Sequence, residues 1–264
     1  MKIRGYSIFA GYFDAAKKRV KGLSKTRAIE LSEQQFQGLI SQELIQQLYE
    51  SLTCEGWKYT KDKKGANWVW RTEVGKPANN NSSEEVLLER AVADKDLQQW
   101  TYQMSTSSGV QTVQGKMRQV NLNSRRAIDL VRFIGPRHYA FVELKVVSDN
   151  PLYAAFEILG YALAYLHAKA DGWIGPGGHD VFDAEHIELT ILGPKEWYGY
   201  GKRGTDMKFE FKLDWLADEI AKSLNDFVKA EFKGEPAFSM KFRKFSKGSR
   251  SEQVSEIHHL AQNW

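Results

Sequence analysis

Residues 127–147 read AIDLVRFIGPRHYAFVELKVV. Two apolar runs, 127–133 and 139–147, flank Gly135-Pro136-Arg137-His138. Runs rich in β-branched and aromatic residues on either side of such a turn sequence predict two neighbouring strands. Side chains alternate across a strand, so Glu143 and Lys145 are expected on one face and Val142, Leu144 and Val146 on the other. Asp129 likewise opposes its apolar neighbours Ile128 and Leu130. The short connection then brings two carboxylates and one ammonium onto a common face, near one end of a sheet.

Working outward, Asn150 precedes Pro151, a cap followed by proline at the first helical position. A helix is predicted from there to about residue 168, and Ala154, Ala155, Gly160, Ala162 and Ala164 let it approach the sheet closely. Residues 185–192 supply another strand. Upstream, Ser82 is read as the cap of a helix over 86–93 with Glu85 completing a capping box, and 116–122 as a strand. The order is helix, three strands, helix, strand, an α/β (α+β) fold with a mixed central sheet flanked by helices. This core is placed at 84–193, after a linker at 76–83 (KPANNNSS). Residues 1–75 read as an N-terminal α+β region with a strand at 3–13, a helix at 32–52 and a hairpin from 56–60 and 67–73. Residues 194–264 read as a C-terminal α+β extension with an aromatic, basic loop at 195–204. A strand at 207–213, a helix at 214–232 and a strand at 237–245 follow it.

Composition bounds the chemistry. The chain has 264 residues, 42% hydrophobic and 12% aromatic, which suits a packed core. Its net charge of +4 is compatible with a polyanionic partner. The single cysteine, Cys54, excludes an internal disulfide and a cysteine-based zinc cluster. It is read as a free thiol in a reduced cytoplasm. Residues 2–4 lead into no apolar signal core, and the most apolar stretch, 152–166, is too short to cross a bilayer and contains Glu157. No G-x-S-x-G occurs, and Gly175-Pro176-Gly177-Gly178 lacks the G-K-[S/T] of a phosphate-binding loop. His138 is expected in an exposed turn and His258-His259 at the surface.

Paired carboxylates on one sheet face can hold Mg²⁺, which prefers oxygen ligands and keeps several waters. Such an ion polarises a phosphodiester, and a neighbouring lysine can orient or deprotonate water or offset charge on the phosphate. The bland alternative is a solvated Glu/Lys stripe on an α+β interaction protein, since E-x-K alone is weak.

Ile128-Asp129 followed by Glu143-Leu144-Lys145, in αβββαβ order, resembles the PD-(D/E)XK nuclease superfamily, with its restriction-endonuclease-like core. The resemblance covers residues 82–193, and Ile128 stands where a proline names the superfamily. It implies a nuclease acting on nucleic acid, DNA above all, in which Asp129 and Glu143 hold Mg²⁺ or Mn²⁺ and Lys145 assists the attacking water. The E-x-x-L pattern of the family's first helix matches Glu85 to Leu88, so Glu85 is either a site residue or a capping-box partner, with Glu89 one turn further along the same face. The family's Gln-x-x-x-Tyr falls on Glu157 and Tyr161, where glutamate replaces glutamine. Glu157 can then reach the metal through water or pair with Lys145, and Tyr161 can serve the site or pack helix to sheet.

Arg125, Arg126 and Arg132 beside the aspartate strand, and Lys241, Arg243 and Lys244 near the end, are candidate nucleic-acid contacts, with Phe242 or Phe245 stacking on a base. A homodimer is compatible with the sequence. The alternative function is an inactive module of the same fold that binds nucleic acid or a protein partner.

Overall fold

The computed structural model describes residues 8–20, 23, 38–52, 68–71, 83–108, 110–113, 116–119, 127–146, 150–170, 180–200, 209–210 and 213–264. The hairpin expected from 127–147 forms: β5 (Ala127–Gly135) pairs antiparallel with β6 (His138–Leu144), in register from Leu130↔Val142 to Phe133↔Tyr139. Arg137 takes φ 56° in the turn.

β5 and β6 lie in a six-stranded mixed sheet ordered β1-β2-β5-β6-β7-β10. β1 (Trp68–Arg71) and β2 (Trp100–Ser108) extend it antiparallel on one side. β7 (His186–Pro194) and β10 (Ala237–Phe245) extend it parallel on the other. Two short ribbons stand apart, β3 (Val110–Val113) with β4 (Lys116–Gln119), and β8 (Gly199–Tyr200) with β9 (Phe209–Glu210).

Helices cover both faces. On one lie α1 (Ile8–Arg19), α2 (Gln42–Ser51), α4 (Pro151–Ala170) and α5 (Asp214–Glu231), packed on Val131, Phe141, Ile187, Leu189, Ile191 and Phe238. On the other, α3 (Glu84–Lys95) and α6 (Arg250–Ala261) pack on Trp100, Leu130, Val142, Leu144, Leu192 and Phe245. The result is an α/β protein whose mixed sheet is sandwiched between helix layers. Every residue of α4 from Pro151 to Ala168 is buried, because sheet lies on one side of it and α1 and α2 on the other. Its small residues permit this double contact. Among the described residues no helix is long and apolar enough to cross a membrane.

Several expectations change. The strand expected at 3–13 is helix from Ile8 onward. Tyr12, Phe13, Ala16 and Val20 are buried at helical spacing, and Tyr12 donates to the Phe156 carbonyl at 2.6 Å. The helix expected over 32–52 is α2, capped by Ser41, with 32–37 outside the described residues. Of the hairpin at 56–73 only β1 is described, and it pairs with the far end of β2. Ser83 caps α3, accepting from Val86 N–H at 3.2 Å, and Ser82 lies outside the described residues. The third strand of the core is β2; residues 116–119 instead form one arm of the β3–β4 ribbon. Within 207–213 only Phe209–Glu210 is described as strand. β10 joins the central sheet, and α1, α2 and α5 share one hydrophobic cluster with α4. The boundaries drawn at 83 and 193 therefore do not separate cores. α6, unanticipated, opens with a capping box from Ser249 and Glu252.

Candidate active site

The β5–β6 ladder stops at Leu130 and Val142, although β6 continues to Leu144 and β5 begins at Ala127. Extending the register by one residue sets Asp129 across from Glu143. The next N–H of β6 that points toward β5, that of Leu144, goes to Asp129 Oδ2 at 2.9 Å. Two residues on, the Val146 N–H goes to Glu85 Oε1 at 3.0 Å. A side-chain carboxylate from β5 and another from α3 thus satisfy backbone donors that the sheet leaves unpaired. Glu85 is no capping-box partner; it bridges α3 to the end of β6.

Lys145 follows directly, its own N–H bonded to Leu192 O at 2.9 Å, which fixes it against β7. Its Nζ lies 2.5 Å from Glu143 Oε1 and 3.2 Å from Glu157 Oε2 on α4. All three side chains are buried. Among the described residues Glu143 Oε2 has no hydrogen-bond partner. Glu89, 2% exposed, adds a fifth carboxylate, held by Nε2 of Gln103 on β2.

One ammonium therefore faces Asp129, Glu143 and Glu157, and Glu89 feels its charge as well. Burial, followed by the Glu89 charge, pushes the Asp129 carboxyl well above its usual range. Burial and then Asp129 do the same to Glu143. Burial raises Glu89 to about 8 against the opposing Gln103 hydrogen bond, with Glu143 and Glu85 adding to the rise. Burial acts against the Lys145 charge, but Glu143, Glu157 and Asp129 outweigh it and hold the ammonium well above its ordinary value. At neutral pH Lys145 is a fixed cation and no general base. The carboxylates are in excess and bind protons in default of another cation.

No group of three or more His, Cys, Asp or Glu side chains converges as a ready metal cage among the described residues. The residues nevertheless fit a hard dication: an all-oxygen donor set, a buried Glu143 oxygen without a partner, and more negative charge than Lys145 neutralises. Asp129 and Glu143 are the two that would hold it, leaving positions for water.

The other candidates fall elsewhere. Tyr161, 3% exposed, is packed in the core one turn beyond Glu157. Arg125 and Arg126 lie outside the described residues. Arg132 is buried on the opposite face, donating to Ala261 O and to Gln99 Oε1 and lying 5.3 Å from the Trp264 ring; it ties the end of α6 to the sheet. Lys241 and Arg243 both bind Glu188, at 2.6 and 3.1 Å, and Lys244 stands 5.3 Å from the Tyr198 ring. Phe245 is fully buried and Phe242 packs on the core, so neither is presented for stacking. His259 is exposed as expected, while His258 is half-buried and its ring nitrogen meets Val92 O at 2.9 Å. Gln103 escaped sequence reading, since nothing in the polar run TYQMSTSS marks one glutamine as special.

The fold and site define an α/β protein with a buried acidic cluster around one lysine. No family model, no curated protein and no solved structure matches this chain.

Proposed function

We propose that the chain is a divalent-metal-dependent nuclease of PD-(D/E)XK type, acting on nucleic acid, DNA above all. One observation carries this reading: at the notch where β5 and β6 part, Asp129 stands across from Glu143 while Lys145 Nζ lies between Glu143 and Glu157. The element order α3-β2-β5-β6-α4-β7 supports a restriction-endonuclease-like core. Mg²⁺ or Mn²⁺, when bound, supplies Lewis-acid stabilisation of the charge developing on the phosphate. Lys145, kept protonated, orients the attacking water by hydrogen bonding and offsets phosphate charge. Glu157 holds the ammonium in place. Glu143, relieved of excess negative charge, serves as a fixed oxygen ligand beside Asp129.

Charge distribution supports a polyanionic substrate. Residues 97–128 contain no Asp or Glu but hold Lys116, Arg118, Arg125 and Arg126, which equals the net charge of +4 for the whole chain. This stretch runs from β2 through the β3–β4 ribbon to the start of β5, two residues before Asp129. The sequence thus concentrates cations just before the strand that carries Asp129, as a chain that meets a phosphate backbone needs.

The test is cleavage of labelled duplex and single-stranded DNA and RNA with Mg²⁺ or Mn²⁺. Asp129→Asn and Lys145→Ala are expected to abolish it in folded protein; cleavage retained in both refutes the assignment. The ion pair that already occupies Glu143 Oε1 favours a second reading, an inactive module of the same fold. A metal-induced rise in Tm separates the two.

A further inference from the structure

Gln103 is one of three non-glycine residues with positive φ among the described residues, at 50°. Left-handed backbone is disfavoured for a side chain with a Cβ, and glutamine has no local hydrogen-bonding habit that eases it as asparagine does. Arg137 sits in the turn between β5 and β6 and Lys233 in the turn that follows α5, where such geometry is ordinary; Gln103 is inside a strand. The ladder with β5 pairs Tyr102 with Leu130 and Met104 with Ile128, so Gln103 lies across from Asp129.

The twist at Gln103 changes what the strand presents. Tyr102 and Met104, two residues apart, would share a face in a regular strand. Tyr102 instead packs with the α3 side and Met104 with the α4 side. The left-handed residue between them is therefore where β2 switches faces. At that point the Gln103 amide Nε2 donates to Glu89 Oε2 on α3. Glu89 in turn couples electrostatically to Glu143 and Glu85.

We infer that Gln103 is a positioning residue for the acidic site: its strained backbone aims a neutral donor at Glu89 and holds that carboxylate toward Asp129 and Glu143, so that a divalent cation is gripped more tightly. The inference rests on the metal-site reading given above. A neutral donor suits this place. A lysine would cancel the charge on which a cation depends, and an acid would add to a repulsion already unrelieved. Met or Leu would leave a buried carboxylate oxygen without its hydrogen bond.

Two substitutions in the full chain separate positioning from folding. Gln103→Met keeps size and strain but removes the donor. Gln103→Gly removes the donor and relieves the strain, because glycine accepts positive φ freely. Mn²⁺ binding is followed by calorimetry and by the metal-induced rise in Tm. Both variants are expected to bind Mn²⁺ roughly tenfold more weakly, the scale for loss of a hydrogen bond that orients a metal ligand. Their metal-free Tm values should diverge, with the glycine variant the more stable. In a Glu89→Gln background, Gln103→Met should weaken Mn²⁺ no further. Wild-type binding with affinity unaltered in both variants overturns this inference alone, and so does affinity that simply follows Tm. A wild-type chain that takes up no Mn²⁺ overturns it together with the metal site.

Discussion

Asp129 Oδ2 accepts the Leu144 N–H at 2.9 Å, one residue beyond Leu130 and two beyond Val142, the last paired residues of their strands. A carbonyl of β5 would fill that position in an unbroken ladder. Substituting a carboxylate opens a notch in the sheet and fixes the acid at its edge, and Glu85 repeats the device at Val146. The acidic cluster is thereby built into the backbone hydrogen-bonding of β6, so the donors that orient the acids are as rigid as the sheet.

Asp129→Asn and Asp129→Ala should behave differently. Asparagine keeps an acceptor for Leu144 N–H and removes a charge that burial and Glu89 already disfavour, so metal-free stability is expected to hold or rise. Alanine leaves the Leu144 N–H unpaired, at a cost of about 1–3 kcal/mol. Urea denaturation in EDTA measures both. Equal stabilities for the two variants would show that the hydrogen bond contributes nothing.

Lys145→Met removes the one ammonium among Asp129, Glu143 and Glu157. Breaking a buried ion pair by deleting one partner typically costs about 3–5 kcal/mol, because the remaining charges stay buried. The penalty should shrink as pH falls and the acids protonate, and adding Glu157→Gln should recover part of it. A pH-independent loss would mean that packing around the lysine stem, rather than its charge, is what matters.

Much of this was legible in the sequence. The hairpin of β5 and β6, the helix α4 and the strand β7 each carry a mostly apolar run bounded by turn or cap residues, and these place Asp129, Glu143, Lys145 and Glu157 together. β2 was missed although Trp100, Tyr102 and Met104 alternate along it, because its second half, STSS, is wholly polar; its place between β1 and β5 comes from tertiary pairing. The start of α1 misled for the opposite reason, since SIFAGYFDA is aromatic enough for a strand, and only Ala16 and Val20 beyond it reveal the helical period. The cations of β10 looked like a nucleic-acid surface because their counter-ion, Glu188, is 53 residues before Lys241 and meets it only once β7 and β10 pair.

Stability of the metal-free chain should fall with rising pH. Glu89 is raised from 4.5 to about 8 by burial first, so its charged form is disfavoured in the fold. Between those values the unfolded chain ionises freely while the folded one must hold a proton, so the contribution is full below about 4.5 and lost by about 8. Asp129 and Glu143, also raised, act in the same sense. Tm in EDTA is expected to decline across this window and Glu89→Gln to flatten the decline. The Mg²⁺-induced rise in Tm should grow with pH, because the ion replaces protons. A metal-free Tm that climbs from pH 5 to 8 would contradict the buried acidic cluster.

Two sets of cations make opposite predictions for substrate. Lys241 and Arg243 share Glu188, whose carboxyl stays below its usual range because the Lys241 hydrogen bond and the Arg243 charge outweigh burial. Lys116 and Arg118 lie instead on the β3–β4 ribbon, in a stretch with no acidic residue. Glutamate at both ribbon positions should weaken binding of a DNA duplex in EDTA and lower the slope of log K against log salt by about one per lost phosphate contact. Glutamine at Lys241 and Arg243 should lower Tm, by leaving Glu188 buried beside fewer cations, with the salt slope unchanged. Fluorescence anisotropy across a salt series reads the first effect and thermal melting the second. If the β10 pair shifts the slope and the ribbon pair does not, the substrate lies across the α3–α6 face and the role assigned to the ribbon is withdrawn.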